Sequence, residues 1–406
     1  FWLKPISDHW HHPFHTPQRR AKRNPSPPGA FLRPMLKSLF LAASTQAIAV
    51  ACSVSTCQGD ESLHLLQTYV RVMRGGRSSV PARETIVPQF AKCLDGQSQV
   101  DDPHAIHVVW SSDLGQVEGL MASISSAIEA TRSPLVAHVL VQGRLEADFQ
   151  MKLGLAPGCR SALLAGRVPL RLHEIDDELV LRARPKMPFW LLKQRGALDS
   201  VENYARFYMH RLIHNTKVVI YLDTDTIVQA DLAKLRQQFV ASNRTIGFAA
   251  RRRHQTMSNF LVRSNPCKFA NASMWERLLN MPAYNAGVYI VDLERWAERG
   301  MAARIEGLVV RHNACGGKLW KGGSQPPLSL ALYTADDGAA QDFAVLDQGW
   351  NVGDLGWRTG LYTVELHEAK ILHWNGKRKP WAPNGNYHDL WQPHRLRFDA
   401  LLHAFV

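Results

Sequence analysis

The sequence predicts an α/β fold on a mixed, mostly parallel central sheet flanked by helices, and three observations carry that expectation. Short apolar runs alternate with helical stretches from residue 105 onward, the pattern of βαβ units. A β-branched run at 217–222 has the character of a strand buried on both faces. The chain, 406 residues with 46% hydrophobic and 20% charged, holds enough apolar material for one large core. That balance excludes collagen-like, coiled-coil and wholly disordered readings.

Residues 1–37 are rich in His, Pro and Arg, carry seven cations against one acid, Asp8, and show no hydrophobic periodicity. Such a segment buries too little apolar surface to offset chain entropy, so a disordered basic leader is expected. No charged residue occurs between Ser38 and Gly59, and the apolar runs 39–43 and 47–51 follow the basic flank. Residues 38–57 therefore read as a cleaved signal, with Ala49-Val50-Ala51 suited to cleavage, or as a signal anchor giving membrane attachment. Ser44, Thr45 and Gln46 interrupt the run, and an ordinary buried helix is the competing reading. Residues 58–102 read as a stem or helical prelude, with Leu63, Leu66, Val70 and Met73 at helical spacing and Gly75-Gly76 closing the run. A single domain then extends over 103–406.

Cys93, Cys159, Cys267 and Cys315 form an even set that can make two bridges in an oxidising lumen, with the pairing open. No Cys-x-x-Cys spacing occurs, which argues against structural zinc. Asn243-Arg244-Thr245 and Asn271-Ala272-Ser273 are glycosylation sequons, relevant only on the secretory route. The formal charge is +13. Much of it sits in the leader, and what remains suits a nucleotide or polyanionic ligand. The leader has few aromatics among its cations and the chain shows no RNP-type or helix-turn-helix signature, so nucleic acid is not an expected partner.

Along the body, an apolar run at 105–110, a helical pattern at 116–130 and a second apolar run at 135–141 predict strand, helix, strand. Ligands of such sheets bind beyond the carboxyl ends of strands, which makes Ser111, Ser112 and Asp113 candidates for contacting a nucleotide. A helix N-cap by Ser112 or Asp113 accounts for them equally well. The spacing predicts a helix over 203–214, with Tyr204, Phe207, Tyr208 and Leu212 in one stripe and Arg206 at its edge. The strand over 217–222 ends in Asp223-Thr224-Asp225.

An Asp-x-Asp by itself is usually a turn with capping carboxylates. Two carboxylates projecting from the bend after a buried strand can instead ligate Mn²⁺ or Mg²⁺ and leave positions open for phosphate oxygens. A cation there would neutralise a diphosphate leaving group. Downstream, Gly287 stands two residues after Asn285 in an apolar run, where a ligand can approach backbone closely or a β-bulge can form. A third segment, 371–381, sets His373, Gly376, Lys377, Arg378 and Lys379 on one short turn. Singly these read as an ordinary histidine and a solvated charge run; the combination of a metal-capable imidazole, a Gly loop and cations shifts that weighing.

Three ordered motifs, Tyr221-Leu222-Asp223-Thr224-Asp225, Asn285-Ala286-Gly287 and His373-Trp374-Asn375-Gly376-Lys377-Arg378-Lys379-Pro380-Trp381, resemble the retaining glycosyltransferases of family 8. Asn203-Tyr204-Ala205-Arg206-Phe207-Tyr208, and Leu346-Asp347-Gln348-Gly349-Trp350-Asn351-Val352 followed by Leu355-Gly356, look most like the plant galacturonosyltransferase-like branch. The resemblance spans about 104–382. It implies a GT-A fold binding a nucleotide sugar, usually UDP-linked, with Mn²⁺ (or Mg²⁺) held by Asp223, Asp225 and His373. It further implies that Gly376 and Lys379 contact the diphosphate, that Arg206 steadies the nucleotide sugar, and that Asn285 and Gly287 face the donor sugar.

The resemblance implies that the family's polar residue near the anomeric carbon falls at Gln325, within Gly322-Gly323-Ser324-Gln325-Pro326-Pro327, where many members are acid-rich. A neutral amide is a poor nucleophile, so same-face substitution is expected, with the departing phosphate as base and Gln325 orienting. Asp223, Asp225, Asn285 and Gln325 form the expected catalytic set. Arg251, Arg252 and Arg253 either recognise a sugar carboxylate or form a solvent-facing loop.

The implied activity is Mn-dependent transfer from a UDP-hexose or UDP-hexuronate to a glycan acceptor, as in cell-wall polysaccharide synthesis in the Golgi lumen. A non-catalytic nucleotide-sugar or carbohydrate-binding protein on the same fold is the alternative, separable by whether UDP is released.

Overall fold

The structure, a computed structural model, describes residues 93–94, 102, 104–142, 146–186, 200–250, 255–334, 342–361 and 363–403. All belong to the unit Ala82–Val406. The leader, the 38–57 segment, the arginines at 251–253, and the prelude apart from residues 93, 94 and 102 lie outside the described residues.

In chain order the elements are β1 (Ile106–Ser111), α1 (Val117–Ala130), β2 (Leu135–Gln142), α2 (Glu146–Lys152), β3 (Ser161–Leu164), β4 (Val168–Ile175), α3 (Asp177–Leu181), α4 (Val201–Ala205), α5 (Met209–Leu212), β5 (Val218–Leu222), β6 (Thr226–Val228), α6 (Leu232–Ser242) and β7 (Ile246–Ala249). There follow α7 (Ala272–Asn280), β8 (Val288–Asp292), α8 (Leu293–Glu298), α9 (Met301–Ala314), α10 (Gln325–Tyr333), β9 (Phe343–Leu346), α11 (Thr363–His367), β10 (Ile371–His373) and α12 (His388–His403). Eight strands form one sheet in the order β3-β4-β2-β1-β5-β8-β7-β9, and β10 pairs with β6 in a separate ribbon. The β1–β2, β2–β4, β1–β5 and β7–β9 pairings are parallel; β3–β4, β5–β8 and β7–β8 are antiparallel. This is the mixed, mostly parallel sheet expected.

Side-chain alternation divides the core, because successive strand residues face opposite sides of a sheet. Ile106, Val108 and Trp110 of β1 pack with Leu120 and Ile124 of α1 and Phe398 of α12. Val109, one residue out of phase, packs with Tyr221, Tyr289 and Leu308 on the opposite face. A third cluster joins Ile227 of β6 and Leu372 of β10 to Trp374 and Trp391.

The helix expected over 203–214 is broken in two. A 3₁₀ turn at Arg206–Tyr208 separates α4 from α5, and the Trp296 indole N–H donates to the Phe207 carbonyl at 3.1 Å. Ile213 is extended, so the helix stops at Leu212.

The four body cysteines pair as Cys93–Cys159 and Cys267–Cys315. The first bridge, with the Leu94 N–H donating to Ser161 O at 2.8 Å, ties 93–94 to β3 at one edge of the sheet. No described helix is long and apolar enough to cross a membrane.

Candidate active site

The sheet changes from parallel to antiparallel at β5, which runs parallel to β1 and antiparallel to β8. Strand register places Leu222, at the end of β5, opposite Val288, at the start of β8. The residues just beyond, Asp223 and Gly287, therefore meet, and Asp223 N–H donates to Gly287 O at 2.7 Å. The Asp-x-Asp turn is pinned on its far side: the Thr224 hydroxyl donates to Gln116 Oε1 at 2.6 Å and the Thr226 hydroxyl to Asp223 O at 2.8 Å. α1 comes this close because Gly119 has no side chain. A Cβ there would lie 2.3 Å from the Trp381 ring and 2.8 Å from Thr224 O.

His373, distant in sequence, arrives by strand pairing. It stands opposite Thr226 in the β6–β10 ribbon, and the next residue continues the ladder, Trp374 N–H donating to Asp225 O at 2.8 Å. Its Nε2 lies 3.3 Å from Asp225 Oδ1 and 3.7 Å from Asp223 Oδ2. One ligand atom from each of Asp223, Asp225 and His373 fits within 4.8 Å of the others. Two carboxylate oxygens and an imidazole nitrogen suit Mn²⁺ or Mg²⁺. The fit depends on Gly287, since a Cβ there would sit 2.2 Å from His373 Cε1 and 2.5 Å from Asp223 Oδ2.

Each carboxylate gives one oxygen to this cluster and the other to a protein cation. Asp223 Oδ1 accepts from Arg206 Nη2 at 3.0 Å, and Asp225 Oδ2 accepts from Lys379 Nζ. Burial works against an ionised Asp225, but Lys379 and His373 outweigh it and hold its carboxyl well below the usual carboxylate range. Arg206 is buried with its guanidinium over the Tyr221 ring. Burial opposes its charge too, yet Tyr221, Asp223 and Tyr289 raise its pKa above the ordinary guanidinium value. Its Nη1 donates to Ala286 O at 2.7 Å, and its Nε and Nη2 donate to Asn203 O and Oδ1, each at 3.0 Å. Arg206 thus underpins both Asp223 and the 285–287 segment from within the protein.

The structure brings most of the sequence-predicted residues to this place. Asn285 Oδ1 accepts from Gly287 N–H at 2.7 Å. Gln325, first residue of α10, accepts from Ala286 N–H at 3.3 Å. Gly376 has φ 139° and packs on Gly356, where a Cβ would meet backbone at 2.5 Å, so the turn that carries Lys379 rests on a glycine-to-glycine contact. Lys379 Nζ also donates to Trp374 O at 3.1 Å.

Ser112 and Asp113 stand one step back. Asp113 accepts from Gly115 N–H at 2.8 Å and from Gln116 Nε2 at 3.1 Å, and so reaches the Asp-x-Asp turn only through Gln116. Neither caps α1, whose N-cap is Gln116. Sequence reasoning missed Gln116, Asn203 and Asn351. Asn203 and Asn351 stood inside quoted motifs, but nothing local to them showed that their side chains reach the site.

The pattern of the family described as Glycosyl transferase family 8 matches residues 189–385, a span that holds all three motifs. Over that span the chain is similar to glycosyltransferase family 8. Among relatives, it is 26% identical over 288 residues to "Probable galacturonosyltransferase-like 10" of Arabidopsis thaliana, covering 69% of this chain and 72% of that protein. It is 24% identical over 334 residues to "Glycosyltransferase 8 domain-containing protein 2" of Mus musculus, covering 74% and 84%. Among solved structures, the galactosyltransferase LgtC with donor and acceptor sugar analogues overlays at a TM-score of 0.46 with 15% identity, over 74% of this chain and 96% of that one. In this chain the mixed sheet sets the Asp-x-Asp turn directly beyond the end of β5.

Proposed function

We propose that this chain is a family 8 glycosyltransferase that transfers a hexose or hexuronate from a UDP-linked donor to a glycan acceptor, with retention and with a divalent cation at Asp223, Asp225 and His373. The observation that carries the reading is the convergence of these three side chains on one point, each carboxylate offering a single free oxygen beside the imidazole Nε2. A bound Mn²⁺ or Mg²⁺ would supply Lewis-acid charge to a diphosphate leaving group. The protein's own contribution is to hold that geometry and to add positive charge where the leaving group develops negative charge.

Lys379, anchored on Asp225 and Trp374 O, is the cation that the Gly376 turn sets beside the carboxylates, where it would meet a diphosphate. Arg206 fixes Asp223 and, through Ala286 O, the segment that faces the donor sugar. The Gln325 carbonyl oxygen is engaged by Ala286 N–H, which lowers an already weak nucleophilicity and favours an orienting role. Same-face substitution, with the departing phosphate oxygen taking the acceptor's proton, follows. Asp113 joins the nucleotide end through Gln116, and Ser112 stands behind it, its hydroxyl donating to Asp113 O. Two disulfides among the described cysteines suit an oxidising compartment and support passage through the Golgi lumen.

The deciding experiment is a panel of UDP-sugars, hexoses and hexuronates, incubated with the chain with and without Mn²⁺ while UDP release is followed. Cation-dependent release from one or a few donors is expected. Binding of UDP with no release from any donor would instead make this a nucleotide-sugar-binding protein.

A further inference from the structure

An imidazole can ligate a cation through Nε2 only if that nitrogen carries a lone pair, which requires the proton to sit on Nδ1. His373 is 1% exposed, and its Nδ1 lies 2.9 Å from Asn351 Oδ1. An amide presents an acceptor at one end and a donor at the other. Were Asn351 turned over, its NH₂ would face Nδ1, the proton would move to Nε2, and Nε2–H would point at the two carboxylates with no lone pair for a cation. The orientation of one buried amide therefore decides whether the three side chains are a metal site.

What holds Asn351 the right way round is visible. Its Nδ2 donates to Asn285 Oδ1 at 3.3 Å, and that same oxygen accepts from Gly287 N–H at 2.7 Å. A backbone N–H has fixed polarity. It sets Asn285 with its oxygen inward, Asn285 sets Asn351, and Asn351 sets His373. The backbone places the pieces to match: Asn351 ends a 3₁₀ turn, and the next residue, Val352, pairs with β10, its N–H donating to Ile371 O at 2.9 Å and its carbonyl accepting from His373 N–H at 3.0 Å.

We infer that Asn351 is a positioning residue, and that Gly287 N–H, Asn285 and Asn351 form a chain of fixed hydrogen-bond polarity that keeps the His373 Nε2 lone pair turned toward Asp223 and Asp225. The inference rests on the cation reading above. It assigns Asn285 a role at the cation that does not require it to touch the cation. It also leaves Asn285 Nδ2, which has no partner among the described residues, as the end of that amide that can donate to a donor sugar.

The test is Mn²⁺ binding to the full chain without nucleotide, followed by the electron paramagnetic resonance of free Mn²⁺, with thermal unfolding as the folding control. Asn351→Leu removes the acceptor and should weaken Mn²⁺ binding about 10- to 100-fold, the range for partners that orient a metal-ligating histidine. Asn351→Asp has an acceptor at both ends and no wrong way round, and should bind Mn²⁺ within about threefold of the parent chain by the same reasoning. Asn285→Ala removes the lock and should weaken binding although Asn285 is not a ligand. Adding Asn351→Asp to Asn285→Ala should restore it, a rescue that a packing role would not give. Mn²⁺ binding by Asn351→Leu equal to that of the parent, or a double variant as weak as Asn285→Ala, overturns the inference. A parent chain that binds no Mn²⁺, either alone or together with UDP, overturns the cation reading itself.

Discussion

Histidines do opposite work in two parts of the same structure. In the half of the sheet away from the site, His107, His138 and His173 stand on β1, β2 and β4 and bond ring to ring, His107 Nδ1 to His138 Nε2 and His138 Nδ1 to His173 Nε2, both at 2.9 Å. Burial, followed by His173, His107 and Arg171, drives the His138 pKa well below its ordinary value. Burial, followed by Arg171 and His214, drives His173 down to about 4. At the other place His373, as deeply buried, faces two carboxylates and an amide oxygen. Burial is common to both. What differs is the sign of the neighbours, and that decides whether an imidazole is a neutral structural link or a candidate ligand.

The comparison can be broken from either side, and the largest effect is expected at the carboxylates. Asp225→Asn removes one ligand oxygen's charge and the partner of Lys379, and should lower cation-dependent UDP release by on the order of 10²- to 10³-fold. Retained turnover at saturating Mn²⁺ would break the assignment.

The histidine ladder should instead appear in stability. The unfolded imidazole of His173 takes a proton near 6.5 and the folded one near 4, so the unfolded state binds more protons between those values. Stability from this group is full above about pH 6.5 and is lost as pH falls toward 4, by on the order of 2–3 kcal/mol. Urea unfolding at pH 7.5 and pH 5 measures it. His173→Phe should reduce the dependence, and an undiminished slope in that variant would show that His173 is not its source.

A smaller effect is expected from Gly287→Ala, whose new methyl must displace His373 or Asp223. Mn²⁺ affinity should fall by about 10-fold, the low end for a disturbed ligand shell, and thermal unfolding should register about 1–3 kcal/mol of strain. The least is expected away from both regions. Asp231 caps α6 by accepting from Ala233 N–H at 3.0 Å, and Asp231→Ala should cost about 1 kcal/mol with Mn²⁺ binding unchanged. A change in Mn²⁺ binding there would mean that the binding assay reports global stability.

The fold class was legible because alternating apolar runs report a local quantity, the period with which side chains face a core. The strand at 217–222 and the carboxylates after it were legible for the same reason. That Asp223, Asp225 and His373 meet was legible only by family resemblance, because it depends on β6 pairing with β10 across a long stretch of chain. The break in the helix at Arg206 was not legible, since it accompanies a hydrogen bond from Trp296, a residue of another element. Nor were the roles of Asn203 and Asn351. An asparagine in a turn looks the same in sequence whether its amide faces water or orders a site, and only the register of the strands beside it tells the two apart. The pairing of the four cysteines was likewise open until the chain was seen folded.

The one-to-one matching of Asp223 with Arg206 and of Asp225 with Lys379 has a consequence for the order of assembly. Those four side chains are electroneutral as a group, so a lone divalent cation arrives against little net attraction and leaves the cleft with surplus positive charge. A diphosphate cancels that surplus. Mn²⁺ and UDP should therefore enter as a pair, each raising the other's affinity by the same factor.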